Sequence, residues 1–599
     1  MPVKERPIVA ENENVPRPPG IAVMAFFLLV LEIPMTVQPI YEMTALHAEE
    51  WAQEVRARDA EIQRRAKAGK PPDPETLPEV NGRFSRLQVF ELYTKYPLVD
   101  PEKVSNVLLG HINSYEDALA DESYVAILAR PYTQLIQTST IRQGNEKVMI
   151  GKDGWLFHRP GVYFVTGFPF RSHYVKNDAK VPPDRWDPGP AIFGFWEQLK
   201  TLGVELAMVP LPVKAQIYPE NLTSRYDLTR GPPANLQAYD FYYDMRDAGM
   251  GVFDVSQTLW DAKGEGQVYL KLDTHWTQRG MKTAARELAG LLRARYPALF
   301  ASLPPSKDRF TTRTLKVKRH GDLFYQLNLP PWSQAFPEQE VEIEQVIDEA
   351  TGEPVSRSNP DADIVLLGDS FTNIYSTEEP TERGMRWGTG AGLSEHLMME
   401  LGRKIHVIAL NGGAPTGTRE TLARQRITRA GTDADTEVKI PLIKTKKLVV
   451  WSFATRELIT PDTVWKQIQL PTGEHVRNKS GEGADEPIEV VARIVVKSSP
   501  PVPGADPYRE AVTMTLYEVV RVESGTLVEK RFVAAEWVMK DLKLLTAARY
   551  KVGDVHRLRM IPFDVKTDKT PGLAQVKQLD DTEVYESPYW VESAIPVQE

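Results

Sequence analysis

The 599 residues contain no cysteine, so neither a disulfide framework nor thiol chemistry is open to this chain. Histidines number only 10 and are scattered rather than spaced as ligands, which leaves no metal centre to expect. Basic residues are in deficit, 72 Lys and Arg against 81 Asp and Glu, for a formal net charge of -9. With no basic stripe interleaved with aromatics, nucleic acid is not an expected partner. An anionic polymer would have to be met by local cations, because the overall field opposes it. Internal repeats, low-complexity tracts and a nucleotide-binding loop are all missing, so no cofactor is expected.

Long apolar runs are scarce, and the longest decides the expected compartment. Ile21 to Leu31 is uninterrupted, and the segment reaches a bilayer-spanning length only if Glu32 and Pro34 are accommodated. No small-x-small cleavage site follows Val37, so the expectation is an uncleaved anchor rather than a signal peptide. Lys4, Arg6 and Arg17 precede the run while Glu42, Glu49 and Glu50 follow it, which favours the N-terminus inside. The reading is a single-pass protein of a bacterial inner membrane with its bulk in the periplasm.

The remaining composition, 42% hydrophobic and 26% charged, is that of a globular protein, and the length calls for two or three domains. The expected division is 1–41 cytoplasmic tip and transmembrane anchor, 42–144 helical stalk and preface, 145–465 catalytic domain, 466–487 linker and 488–599 a C-terminal β domain. Lys152-Asp153-Gly154 between two apolar triplets reads as a hairpin with a primed turn. Val204–Leu211, Val252–Val255, Ile364–Leu367, Ile405–Leu410 and Leu448–Trp451 are short apolar runs, with helical patterns between several of them, notably Met281–Tyr296 and Leu393–Leu401. Such alternation predicts an α/β fold with a mostly parallel sheet. Past residue 488, Val512, Met514, Leu516, Val520 and Val522 alternate with Thr513, Thr515, Tyr517 and Arg521, which is strand periodicity. A small all-β domain is expected there, a barrel of the OB-like type.

Two short strings carry the chemistry. Ile364-Val365-Leu366-Leu367 stops on Gly368-Asp369-Ser370-Phe371, and Asp273-Thr274-His275-Trp276 lies about a hundred residues earlier. A serine hydroxyl is a weak nucleophile unless an imidazole takes its proton and a carboxylate holds the imidazole in the right tautomer. Ser370, His275 and Asp273 fit those roles, and in an extended segment positions 273 and 275 project to one face. Thr277 is suited to cap the helix that follows, placing His275 just before a helix N-terminus. Trp276, Trp332, Tyr375 and Trp387 lie near the motifs and are either rings for stacking on sugars or core residues.

Gly-Asp-Ser at the end of a buried strand resembles the nucleophile block of the SGNH hydrolases. The Asp-x-His string precedes it here, which resembles the permuted order of the alginate O-acetyltransferase family, the AlgJ and AlgX type. Val148–Phe157, Val209–Pro219, Ala409–Gly413 and Val449–Arg456 extend the resemblance over about residues 145–460. It implies an SGNH hydrolase-like three-layer sandwich, with Ser370 acetylated as nucleophile, His275 as base and then acid, and Asp273 orienting His275. Asn411, in Asn-Gly-Gly after an apolar strand, would be the oxyanion-hole asparagine beside the Ser370 N–H; the alternative is a simple turn. Lys214, Trp276, Tyr375 and Arg456 are candidates for contacting substrate, Arg456 equally for a structural ion pair.

The implied function is acetyl transfer onto hydroxyls of an exported polysaccharide. A membrane-bound O-acyltransferase is the implied acetyl-donor partner, since the periplasm has no ready acetyl-CoA. An SGNH-type acetyl esterase and a non-catalytic polysaccharide-binding scaffold are the competing readings.

Overall fold

The computed structural model describes residues 124–597 apart from short internal stretches, the longest being 171–186, 377–386, 479–486, 501–509, 563–574 and 578–588. The expected anchor, the stalk and most of the helical preface lie outside the described residues. Among those described, no helix is long and apolar enough to cross a membrane. Of the preface, Tyr124–Thr140 is helical. The chain divides into two compact units, Met1–Ile136 and Gln137–Glu599, and the second holds both an α/β layer and a barrel.

Five strands form the α/β sheet: β1 (Glu205–Leu211), β2 (Gly251–Val252), β3 (Ile364–Gly368), β4 (His406–Ala409) and β5 (Leu448–Ala454). They lie side by side in the order β2-β1-β5-β3-β4 and every pair is parallel. The apolar, β-branched runs without polar alternation form its central strands because a parallel sheet covered on both faces needs side chains that tolerate burial on either side; β3 and β5 are buried along their whole length. The run at Val252 is shorter than expected, two residues at the sheet edge.

Four helices matter for the site: α1 (Gln278–Arg295), α2 (Ser370–Asn373), α3 (Leu393–Leu401) and α4 (Ala414–Arg424). Thr277 caps α1, its hydroxyl accepting the Gly280 N–H at 3.2 Å, as the sequence predicts. Met281, Ala284, Ala285, Leu288 and Leu292 form the buried stripe of α1, at the spacing of one helical face. The helix α3 ends at Gly402 with φ 66, a left-handed terminus that a side chain would resist. The Asp-Gly hairpin is also there: Trp155 N–H donates to Lys152 O, with Asp153 at φ 51 and Gly154 at φ 73, both central residues left-handed as a primed turn requires.

Two smaller sheets have no counterpart in the sequence reading. Phe310–Arg319 pairs with Gln339–Asp348 as a two-stranded antiparallel arm. Arg426–Ala430, Thr436–Pro441 and His475–Asn478 make a three-stranded sheet. The expected linker at 466–487 is correspondingly narrower, since Ile468 and Leu470 are buried in the α/β core and His475–Asn478 is a strand.

The C-terminal region is a closed β-barrel of five strands: β6 (Ile488–Lys497), β7 (Ala511–Ser524), β8 (Arg531–Lys540), β9 (Val555–Pro562) and β10 (Tyr589–Pro596). The order runs β8-β10-β9-β6-β7, and pairing of β7 with β8 closes it. Only the β8–β10 contact among these is parallel. Tyr517, Phe532, Ile494, Leu558 and Met560 form one buried cluster, while Val512, Met514, Leu516, Val533 and Trp590 form another. Thr513 and Thr515, on the face with Tyr517 that alternation marks as polar, are fully buried, because closing the sheet turns that face inward.

Candidate active site

The C-terminal ends of neighbouring parallel strands deliver side chains to one edge of the sheet, the place where such sheets bind ligands. Taken across the sheet, Lys214 follows β1, Arg456 follows β5, Ser370 follows β3 and Asn411 follows β4. The nucleophile candidate therefore stands between two basic residues on one side and an asparagine on the other.

Ser370 opens the short helix α2, and Asp369 caps it. One Asp369 oxygen accepts the Phe371 N–H at 2.9 Å and the other accepts the Ala454 N–H at 2.9 Å, which ties the end of β5 to the turn after β3. Burial pushes the Asp369 carboxyl up, against the nearby Arg456. Its oxygens are thus committed to backbone donors rather than to His275.

His275 reaches Ser370 from the loop before α1. Its Nε2 lies 2.8 Å from Ser370 Oγ and its Nδ1 lies 2.7 Å from Asp273 Oδ1. Asp273 also accepts the His275 backbone N–H at 3.0 Å, the indole N–H of Trp387 at 2.9 Å and the Asp322 N–H at 3.0 Å. Burial alone would raise this carboxyl; the imidazole and the other donors outweigh it and hold Asp273 below the usual carboxylate range. An ionised Asp273 fixes the proton on Nδ1, so Nε2 is left to accept the Ser370 hydroxyl proton.

A second buried carboxylate stands behind this pair. Asp322 Oδ1 accepts the Thr274 N–H at 2.6 Å, and Asp322 Oδ2 is 3.8 Å from His275 Nδ1. Burial and the Asp273 charge push Asp322 above the usual carboxylate range. Asp273, His275 and Asp322 place possible ligand atoms within 4.8 Å of one another. A cation there would have to displace the proton shared by Asp273 Oδ1 and His275 Nδ1.

The predicted substrate contacts fare differently. Trp276 and Tyr375 are fully buried, the Tyr375 hydroxyl donating to Trp276 O at 2.9 Å, so neither ring is available to a sugar. Both belong to the core that supports the histidine: Trp276 packs edge-on to Phe371, whose ring in turn faces His275. Trp387 is also buried and serves Asp273, whereas Trp332 is exposed. Lys214 is turned inward, its Nζ donating to the carbonyls of Leu156 and Lys271 at 2.6 and 3.1 Å. Burial brings its ammonium down to about 7 against the pull of Asp273 and Asp322.

Arg456 lies along the Phe371 ring, 5.7 Å from its centre, with Nε 3.4 Å from Glu457. Its Nη1 is buried and has no hydrogen-bond partner among the described residues. Arg456, Lys214, Thr274, Gly161, Val213 and His158 line a narrow pocket beside the histidine loop. His158 Nδ1 is likewise buried and unpartnered, and burial together with Arg456 holds this imidazole well below its usual range. Asn411 is buried, its Oδ1 accepting from Asn373 Nδ2 at 2.8 Å. Sequence reasoning did not single out Asp322, His158 or Asn373; the one local signal for Asp322 was Gly-Asp ahead of a helical turn, a pair too common to act on.

A parallel α/β sheet whose strand ends present serine and asparagine, met by histidine and aspartate from a loop, defines an SGNH hydrolase-like domain. Residues 148–432 match the family described as SGNH hydrolase-like domain, acetyltransferase AlgX. It is 28% identical over 239 residues to the probable alginate O-acetylase AlgJ of Pseudomonas syringae pv. tomato, covering 38% of this chain and 55% of that protein. Against AlgJ of Pseudomonas aeruginosa the figures are 30% over 233 residues, 38% and 53%. The chain thus spans about half the length of these relatives. Among solved structures, the O-acetyltransferase domain of Pseudomonas putida AlgJ aligns at TM-score 0.36 and 21% identity, covering 52% of this chain and 92% of that one. Pseudomonas aeruginosa AlgX aligns at TM-score 0.36 and 17% identity, covering 66% and 88%.

Proposed function

We propose that this protein is a polysaccharide O-acetyltransferase working through an acetyl-enzyme on Ser370. The observation that carries the reading is the continuous chain Asp273 Oδ1, His275 Nδ1, His275 Nε2, Ser370 Oγ, with both links at hydrogen-bond distance at the mouth of the parallel sheet. The match of residues 148–432 to an acetyltransferase family supports the choice of acyl group.

In the first half-reaction Ser370 Oγ forms a bond to the acetyl carbonyl carbon as its proton passes to His275 Nε2. The carbonyl π pair moves onto oxygen, where the Ser370 N–H and Asn411 would receive it. Collapse breaks the bond to the donor's leaving group, which takes the proton from Nε2. In the second half a sugar hydroxyl gives its proton to Nε2, attacks the acetyl-enzyme and leaves as the ester, while Ser370 Oγ recovers a proton from the imidazolium.

The acceptor is an exported polysaccharide; the named activity of the AlgJ relatives supports this choice. The acetyl donor is delivered by a membrane-bound O-acyltransferase, and the protein is held at the bacterial inner membrane with this domain in the periplasm. Arg456, with its unpartnered Nη1, is the residue that contacts an acidic acceptor.

An activated acetyl ester tests the acyl-enzyme. Mass spectrometry of the intact protein should show one added acetyl group on the peptide carrying Ser370, discharged faster by acceptor oligosaccharide than by water. Labelling that persists in Ser370→Ala overturns the assignment; discharge indifferent to acceptor makes the protein an esterase.

A further inference from the structure

The amide of Asn411 has two edges, one accepting and one donating, and only the donating edge stabilises an oxyanion. A relay of side chains running from Glu395 through Arg357 and Asn373 bears on which edge faces which way. Arg357, a group with donors only, gives Nη2–H to Asn373 Oδ1 at 2.7 Å. Asn373 is thereby required to present its Nδ2 on the other side, where it donates to the Ala409 carbonyl at 3.2 Å and to Asn411 Oδ1 at 2.8 Å. The carbonyl of Ala409 accepts only, so both ends of the Asn373 amide demand one orientation. Asn411 must then turn its oxygen to Asn373 and its Nδ2 to the opposite edge.

Arg357 is itself held. Its Nε is 3.2 Å from Ser394 Oγ and 3.7 Å from Glu395 Oε1, while Ser376 and Ser394 both donate to Glu395 Oε2 at 2.7 Å. Glu395 and Ser394 are completely buried, and Asn373 is 2% exposed. Asn373 closes the short helix that Ser370 opens, and Asn411 follows the strand that pairs with β3, so the relay spans the same two strand ends as the proposed oxyanion hole.

We infer that Asn373, oriented by Arg357 and Glu395, is a positioning residue that sets the polarity of the Asn411 amide and thereby makes Asn411 an oxyanion donor. The inference rests on the acetyl-enzyme reading above. Packing alone would ask only for a side chain of this size at position 373; the relay asks for a donor toward Asn411 and an acceptor toward Arg357.

Asn373→Asp separates the two. The carboxylate is nearly isosteric and keeps its contact to Arg357, but it offers Asn411 only acceptors, so Asn411 flips and turns its carbonyl toward the developing oxyanion. The variant also loses its donor to the Ala409 carbonyl, so its thermal midpoint should fall; the folded protein should keep its KM for an activated acetyl ester and lose about 10²–10³-fold in the rate of Ser370 acetylation, the range seen when an oxyanion donor is removed. Asn373→Ala should lose less, since it removes the donor without presenting an acceptor to Asn411. Once Asn411 is alanine there is no amide left to orient, so Asn373→Asp added to Asn411→Ala should cost nothing further.

Acetylation of Asn373→Asp at the wild-type rate, or full additivity of the two substitutions, overturns the relay. Ser370→Ala serves as the control that keeps the failures apart. If it retains acetylation the acetyl-enzyme reading falls; if it is inert while Asn373→Asp is fully active, only the relay falls.

Discussion

Asp322 holds Asp273 and is repelled by it: its backbone N–H donates to Asp273 Oδ2 at 3.0 Å, while its own carboxylate stands 3.8 Å from the far side of His275 Nδ1. Two carboxylates so placed against one imidazole divide their protonation states. Asp273, with four N–H donors, stays charged, and Asp322 is pushed up by burial and by that charge.

Asp322→Asn should therefore act through pH. A carboxyl raised by folding adds stability that is complete below its unfolded value and is lost as pH climbs through the raised value. The asparagine variant lacks that dependence, so its melting temperature should fall less than the wild type's as pH rises through the neutral side of the carboxylate range. An unchanged pH dependence of the melting temperature would show that the Asp322 carboxyl takes up no extra proton on folding.

Trp387→Phe tests the other support of Asp273. Phenylalanine fills much of the same space but removes the indole N–H that lies 2.9 Å from Asp273 Oδ2. Losing a hydrogen bond to a buried charged group costs about 1.5–3 kcal/mol. The melting temperature should drop accordingly, and kcat should fall about tenfold as Asp273 loses definition, each tenfold corresponding to about 1.4 kcal/mol of barrier. Melting curves and steady-state rates on one preparation check both. Wild-type stability would remove Trp387 from the site and return it to the core.

Much of the site was legible because its parts sit at the ends of local patterns. Ser370 comes just after a five-residue apolar strand and His275 precedes a capped helix, so strand periodicity and capping rules located both, while Asn411, just after the next strand in space, was singled out through the family resemblance. Trp276 and Tyr375 were misread for one shared reason. Nearness to a motif along the chain does not tell which face of the sheet edge a side chain takes, and both turn into the core. Asp322 was invisible because its role depends on a contact across 49 positions, from residue 273 to residue 322, with no periodic signal to mark it. The alternation in β7 announced a strand, while the burial of Thr513 and Thr515 follows only from closure of the barrel.

Gly321→Ala probes how Asp322 is brought to its place. The glycine has φ -86, so conformation is no obstacle; the constraint is space. A Cβ there would lie 2.3 Å from the Leu272 carbonyl oxygen and 2.6 Å from Asp273 Cβ, and backbone at that distance has to move. Overpacking of this kind costs about 1–3 kcal/mol. Because the strained neighbour is Asp273 itself, the activity loss should exceed what the melting temperature alone accounts for. A variant with normal activity at full occupancy of the fold would show that the loop yields elsewhere.

The barrel carries its own titratable core. Glu536 is 3% exposed and receives the Tyr517 hydroxyl at 3.1 Å. Burial pushes this carboxyl up to about 7, against the pull of the Tyr517 hydroxyl and Lys497. A raised acid contributes stability below its unfolded value, near the ordinary 4.5, and loses it as pH rises through about 7. At one decade of proton affinity per about 1.4 kcal/mol, the barrel should lose up to about 3 kcal/mol between mildly acidic and alkaline pH. Hydrogen exchange of the β7 and β8 amides reads this directly, since Glu536 lies on β8 opposite Thr513 of β7 and the two strands carry the closing ladder. After correction for intrinsic exchange rates, protection in the wild type should fall from pH 6 to pH 9. In Glu536→Gln, which is neutral throughout and still accepts from Tyr517, it should stay level. Equal behaviour of the two proteins would mean that the carboxylate is solvated or paired in the folded barrel, and the buried proton would have no part in holding β7 against β8.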